Sequence, residues 1–360
     1  MTPAVAGMRV ERQNAYPSAT LDLFGATDFF FPRGMDHHTL MTSAPKPVHA
    51  VMQKIARQLA GLGRLPDEPM VTLPEAKTLL PDVCVVGAGP AGLATATAAA
   101  RAGHRVIVID EQIMPGGSLL CDPRHGPEEA RARVAATRSA GVDLWSGSTA
   151  IAYYAEDRIT EAAAPGLLAV VTPEGLRLVR ARHTIYATGS YDQNALFPDN
   201  DRPGIVSARA LGRLLVRDGI APPKQAAVLG AGPYARALAD ALEQAGAVVT
   251  RIDGLADTIV GVDGRSRLRG VRVQSGGRVR KVACDVLAIA ALPAPATELA
   301  REHGAEVRWD GGRGGFHVVA DADGRTQVTG LRVVGDVTGF VGPQGSLDAG
   351  ARVGASLERA

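Results

Sequence analysis

The residues placed to do chemistry in this sequence are glycines followed, at a fixed interval, by a carboxylate. Gly87, Gly89 and Gly92 fall in the run GAGPAG, and Asp110, with Glu111 beside it, comes 18 residues after Gly92. The pattern returns as GAGPYA, with Gly230, Gly232 and Ala235, and Asp253 follows at the same interval of 18. Gly87 can make a tight turn, Gly89 can admit a diphosphate to the backbone, and Gly92 can let a helix lie close on a sheet. Pro90 and Ala91 open that helix, whose N-terminus offers N–H groups and a partial positive charge to phosphates. A carboxylate ending the next strand can accept both ribose hydroxyls and repels a 2′-phosphate. The chemistry is that of holding a dinucleotide. No Ser-His-Asp or metal-ligating constellation accompanies it, and no catalytic acid or base can be named. His183 and His317 sit in strand-like runs and read as structural.

The surrounding sequence supplies the elements this chemistry needs. An apolar run at 83–86, an alanine-rich helical stretch to about 102, the stop Gly103 and a second apolar run at 106–109 give strand, turn, helix, strand. Gln112 follows the carboxylates, and Gly116, Gly117 and Ser118 form a loop over the diphosphate. A helix is expected at 128–140. Short strands at 150–154, 167–171 and 176–179 form a small antiparallel meander. The strand at 183–186 returns to the parallel sheet and ends in Ala187, Thr188 and Gly189, small enough for the backbone to approach the ligand. Residues 196–215 cross to a second domain and include a helix at 208–215. The second glycine turn follows, then hairpins over 258–291, a helix at 296–303 and a strand at 331–334. That strand enters Gly335-Asp336, and a helix is expected at 346–357. Asp336 can hold ribityl or ribose hydroxyls, or it can cap its own turn.

The expected fold is therefore α/β, with two Rossmann-like dinucleotide-binding domains and the second inserted in the first. The first spans 80–195 and 325–360, the second 196–324. Residues 1–79 form an irregular arm. It holds Phe24, Phe29, Phe30 and Phe31, many prolines and one expected helix at 46–62. Such an arm cannot bury a core of its own, so it must pack on the domain that follows or on a partner. The adjacent His37 and His38 diverge on any regular element and read as polar contacts.

Composition narrows the function. Hydrophobic residues at 46% and charged residues at 21% describe an ordinary globular chain. A net charge of +2 without a long basic run excludes a nucleic-acid surface. No apolar run of about 18 residues is present to cross a membrane, and no secretory signal pattern opens the chain, so a cytoplasmic protein is expected. Cys84, Cys121 and Cys284 are too few and too scattered for a disulfide framework, a dithiol pair or an iron–sulfur cluster, and no metal is expected in this chain.

GAGPAG, DEQ at 110–112, GG at 116–117, ATG at 187–189, GAGPYA and GD at 335–336 make residues 80–360 resemble the two-dinucleotide-binding-domain flavoproteins of glutathione and thioredoxin reductase type. YPSATLDLFGATDFFFP, DEQIMPGGSLL, ATGSYDQNALFPDNDRPGI and GDVTGFVGPQGSLDAGARVGA extend the likeness over nearly the whole chain. With them the sequence resembles the α subunits of heteromeric sarcosine oxidases and of opine, hydroxyproline and hydrogen-cyanide-forming dehydrogenases. That resemblance implies that amine oxidation occurs on a D-amino-acid-oxidase-like flavoprotein β subunit. It implies FAD, NAD or ATP at the first site, FMN at a subunit interface in some members, and a cofactor-holding or relay role for this chain. The ferredoxin-like, iron–sulfur and folate-binding segments of those relatives are not in this sequence. A cluster, on this expectation, comes from a separate small ferredoxin-like subunit. Two other readings stand beside it: a self-contained FAD enzyme that oxidises NADH or NADPH, and a non-catalytic nucleotide-bound scaffold. Gly230, Gly232, Ala235 and Asp253 form a weaker second nucleotide site, since Tyr234 sits inside its turn and Arg236 at its helix start.

Overall fold

The computed structural model describes residues 17–18, 21–23, 47, 50, 53, 75–155 and 166–358. The chain divides into Met1–Leu73 and Pro74–Ala360. In the first unit a β-bridge pairs Pro17 with Asp22. Of the helix expected at 46–62, Pro47, Ala50 and Gln53 are described and are helical. Phe24, Phe29–Phe31, His37 and His38 lie outside the described residues.

The second unit opens with β1 (Lys77–Leu79), β2 (Val83–Val86), α1 (Pro90–Arg101) and β3 (Val106–Asp110). Next come α2 (Pro127–Ser139), β4 (Asp143–Ser146), β5 (Thr149–Tyr154), β6 (Leu167–Thr172), β7 (Gly175–Val179), β8 (His183–Tyr186) and β9 (Ser190–Tyr191). The crossover holds β10 (Ile205–Ser207) and α3 (Ala208–Gly212), which runs into a π-helical turn, Arg213–Arg217. Then follow β11 (Gln225–Leu229), α4 (Pro233–Gln244), β12 (Val248–Ile252), β13 (Asp257–Asp263), β14 (Gly270–Ser275), β15 (Arg278–Ala283) and β16 (Val286–Ile289). The chain closes with β17 (Ala294–Pro295), α5 (Glu298–Glu302), β18 (Val307–Asp310), β19 (Gly315–Val318), β20 (Leu331–Val333) and α6 (Gly342–Ala355).

The first sheet is parallel, in the order β20-β8-β2-β3-β4. Its strands are covered on both faces, which is why they read as unbroken apolar runs. Val83 and Val85 point to the face that carries α1 and α6, in one core with Leu93, Ala96 and Val353. Cys84 and Val86 point to the other face, in a core with Leu168, Val170 and Val179 of the meander. Each such fully buried valine or leucine contributes about 1.5–3 kcal/mol.

The meander is a four-stranded sheet, β1-β7-β6-β5. The fourth strand, β1, comes from residues expected in the arm. Lys77, Thr78 and Leu79 pair in parallel with Arg177, Leu178 and Val179. Strand β4 was also not expected, because DLWS lacks both an apolar run and a clean alternation.

A second parallel sheet, β10-β16-β11-β12, surrounds the second glycine turn, with β13-β14-β15 as an antiparallel sheet beside it. Return to the first core begins well before residue 325. Pro295 and Ala294 of β17 pair with Ser190 and Tyr191 of β9. Ala300, Ala305 and Val318 join the core beneath the meander.

Candidate functional site

One cavity of about 800 Å³ lies at the C-terminal end of the first sheet, where open α/β sheets take their ligands. Gly87, Gly89, Pro90 and Ala91 border it from the first turn, and Asp110, Glu111 and Gln112 from the end of β3. Gly117 and Ser118 border it from the loop above, Ala187, Thr188 and Gly189 from the end of β8, and Asp336 from the end of β20. These short stretches, far apart in sequence, converge because parallel strands all end on the same side.

Gly92, Gly116 and Gly335 stand behind this wall. A Cβ at Gly92 would lie 1.8 Å from the carbonyl oxygen of Gly87, so α1 can approach the turn only with no side chain there. Gly87 itself has φ +106°, a left-handed conformation that favours glycine. Gly116 donates its N–H to Ala88 O at 2.9 Å, pinning the loop to the turn. A Cβ at Gly335 would stand 2.7 Å from that of Ala91.

The N-terminus of α1 has no side-chain cap and no acid in its first turn. Its first-turn N–H groups lack intrahelical acceptors, so this end of the helix suits an anion. The two adjoining carboxylates have different duties. Asp110 accepts N–H bonds from Ala88 and, at 2.7 Å, from Gln112, one on each oxygen. Burial raises its pKa, while those two N–H groups oppose the rise. Glu111 is exposed, and among the described residues its side chain accepts one hydrogen bond, from the Gln112 amide at 3.1 Å. Glu111 is therefore the carboxylate with oxygens to spare for a ribose.

Asp336 takes the capping duty read for it. Its Oδ1 accepts from Val341 N at 3.0 Å and Gly342 N at 3.1 Å, which caps α6, and its Oδ2 accepts from Ser190 Oγ at 3.1 Å. It still borders the cavity. Thr188 is tied down by its hydroxyl, which donates to Ala296 O at 2.7 Å.

Other residues of this wall escaped sequence reasoning. Arg209 and Arg213 border the cavity from α3 and its π turn, Asp192 from the loop after β9, and Glu298 and Glu302 from α5. Arg209 pairs with Asp192 and donates to Ser190 O at 2.8 Å. The one available signal was the spacing of the two arginines, four apart in a short helical stretch, which puts them on one side.

The second turn is built differently. Gly230, Gly232, Ala235 and Asp253 do not border the cavity. Tyr234 turns back to the first site and donates to Cys121 O at 2.9 Å. Arg236 donates to Ala231 O at 2.6 Å, and Asp253 Oδ1 accepts from Leu255 N at 2.9 Å.

Burial pushes the thiols of Cys84 and Cys284 up to about 12 and that of Cys121, on the cavity wall, up to about 11. None of the three is a ready nucleophile. Among the described residues no group of three or more His, Cys, Asp or Glu is placed to hold a metal ion, and no helix is long and apolar enough to cross a membrane.

Comparison with known proteins agrees with this geometry. The chain is 30% identical to the alpha subunit of sarcosine oxidase from Rhizobium meliloti (strain 1021), over 96% of this chain and 37% of that protein. It is 25% identical to the A subunit of opine oxidase from Agrobacterium tumefaciens (strain Ach5), over 73% of this chain and 62% of the relative. It thus spans between about a third and two thirds of these relatives. Among solved structures, L-proline dehydrogenase from P. horikoshii superposes with a TM-score of 0.65 at 22% identity, over 78% of this chain and 56% of that one. Thioredoxin reductase from T. acidophilum gives 0.60 at 17% identity, over 76% and 96%. The fold is the α/β architecture with two Rossmann-like units, which implies FAD or NAD(P) as the kind of ligand. The sequence profile of the pyridine nucleotide-disulphide oxidoreductases matches residues 81–263, and the chain belongs to that oxidoreductase family.

Proposed function

We propose that this chain is the dinucleotide-binding, α-type subunit of a heteromeric flavin-dependent oxidase or dehydrogenase acting on amines or amino acids of the sarcosine, proline or opine kind. The observation that carries the proposal is the match to the alpha subunit of a sarcosine oxidase along 96% of the chain, arm included. On this reading the first site holds FAD, NAD or ATP. Gly87, Gly89, Pro90, Ala91, Gly117 and Ser118 face the phosphates with Gly92 and Gly116 behind them, Glu111 faces the ribose, and Ala187–Gly189 and Asp336, backed by Gly335, support the distal end. Bound there, such a cofactor supplies hydride or electron transfer, while this chain's residues bind and orient it.

The substrate-oxidising centre belongs, in this proposal, to a separate flavoprotein β subunit of D-amino-acid-oxidase type. An FMN is shared at the interface, and a small ferredoxin-like subunit relays electrons in the cytoplasm. The first domain takes residues 77–195 and 294–360 and the second the stretch between them, and the second turn is a weaker nucleotide site.

The test is to co-purify the chain with flavoproteins encoded beside it and to identify by mass spectrometry the nucleotide released on denaturation. Recovery of an adenine dinucleotide or ATP in a complex that oxidises a secondary amine supports the proposal. A chain that binds no such partner is not an α subunit. The duplicated glycine turn favours one alternative, a self-contained FAD enzyme. It predicts a yellow isolated chain that oxidises NADH or NADPH alone.

A further inference from the structure

Within the cavity just described, the charges do not balance. Asp110, Glu111, Asp192, Glu298, Glu302 and Asp336 border it, against Arg209 and Arg213. Arg209 is already committed to Asp192 and Ser190. Among the described residues the Arg213 guanidinium has no hydrogen bond and no ion pair, and the acid ending its turn, Asp218, is held by Arg217 at 2.7 and 2.8 Å. A guanidinium with no partner among the described residues, bordering the same cavity as an uncapped helix N-terminus, is free to take an anionic group of a ligand.

The local backbone explains how Arg213 reaches this wall. It begins a π-helical turn, a rare widening that recurs at functional sites. The residue before it, Gly212, is pressed against the first site. A Cβ there would lie 2.3 Å from Cys121 O and 2.4 Å from the Tyr234 hydroxyl. The crossover that starts the second sheet is thereby seated on the loop that follows Ser118, and Arg213 faces the same cavity as the α1 N-terminus.

We propose that Arg213 binds the phosphate chain of the nucleotide held at the first site. The ligand then spans the two sheets, with the α1 N-terminus on one side and a guanidinium from the second sheet's crossover on the other. This rests on the reading of the cavity as a nucleotide site. It adds to that site an anion anchor the glycine motif does not contain, and it makes occupancy stabilise the seam between the sheets.

The experiment is titration calorimetry of the purified chain, stripped of nucleotide, with ADP and with adenosine. Arg213→Gln is expected to weaken ADP by about tenfold to a hundredfold, the worth of a hydrogen-bonded charge, and to leave adenosine unchanged. Arg213→Lys is expected to recover part of the ADP affinity, which a purely structural arginine would not show. Arg217→Gln, outside the cavity, should leave both affinities as they were. If the wild-type chain binds neither ligand, the nucleotide reading itself fails and the anchor with it. If the wild type binds ADP and Arg213→Gln binds it equally well, the reading stands and the anchor is overturned. Should Arg213→Gln not fold, Arg213→Met, which keeps the length of the side chain without its charge, decides, because ADP affinity equal to the wild type's would also overturn it.

Discussion

The Tyr234 hydroxyl donates to the carbonyl oxygen of Cys121 at 2.9 Å, joining the second glycine turn to the loop of the first site. Ala208 O lies 3.1 Å from the same hydroxyl and competes for its hydrogen. The residue that breaks the glycine pattern of GAGPYA is thus a fastener between the two sheets. Tyr234→Phe keeps the ring and removes the bond. It should lower unfolding free energy by about 1–2 kcal/mol, the cost of leaving a carbonyl under-satisfied, in urea denaturation. Equal midpoints for the two proteins would show that the contact carries nothing.

Gly92 and Gly89 make a contrasting pair. A methyl at Gly92 would stand 1.8 Å from Gly87 O, so α1 or the turn must move. A methyl at Gly89 would stand 3.8 Å from Gly117 Cα, an ordinary contact, and its φ of −77° suits any residue. Gly92→Ala should therefore cost about 3 kcal/mol or more as overpacking, read from chemical denaturation. Gly89→Ala should unfold at nearly the wild-type midpoint, yet bind nucleotide more weakly because its methyl occupies the diphosphate's approach. The same stability for both variants would contradict this division of labour.

These glycines also show what could be read beforehand. Turn, helix and flanking strands were legible because each carries a local cause: left-handed backbone at Gly87, close approach at Gly92, and buried runs at 83–86 and 106–109. The cavity's remaining wall was not legible. Ser190, Asp192, Arg209 and Arg213 meet through a crossover, and ordinary surface-type residues carry no sign in sequence of which strand end they will meet. Strand β1 was missed for a related reason. Three residues, KTL, become a strand only because β7 offers them an edge.

Asp110 and Glu111 were equivalent candidates in sequence, and their contacts separate them. Asp110 closes the turn by accepting from Ala88 and Gln112, whereas Glu111 is exposed and, among the described residues, accepts one side-chain hydrogen bond, from Gln112. Asp110→Asn is expected to destabilise the chain by about 1–3 kcal/mol, because an amide nitrogen replaces one acceptor of two N–H bonds. Glu111→Gln should leave the thermal midpoint unchanged and weaken adenosine binding by about tenfold, the worth of a charged acceptor for ribose hydroxyls. Calorimetry and thermal denaturation on both variants separate the roles, and the reverse pattern would exchange them.

Beneath the cavity floor, His303 stacks on Tyr153 with ring centroids 3.4 Å apart, and its Nδ1 lies 3.3 Å from the Tyr186 hydroxyl. Burial lowers its pKa from 6.5 to about 4, so the folded chain holds the ring neutral. The unfolded chain takes up the proton first, near the ordinary histidine value. Stability from this residue is therefore fully present above pH 6.5 and is lost as pH falls from 6.5 towards 4, by about 2 kcal/mol. Below that interval the folded ring protonates as well and the loss levels off. His303→Phe keeps the stack without the titration. Its unfolding free energy should fall less steeply than the wild type's between pH 6.5 and 4. Parallel curves in urea titrations across that window would show that His303 is not the group responsible.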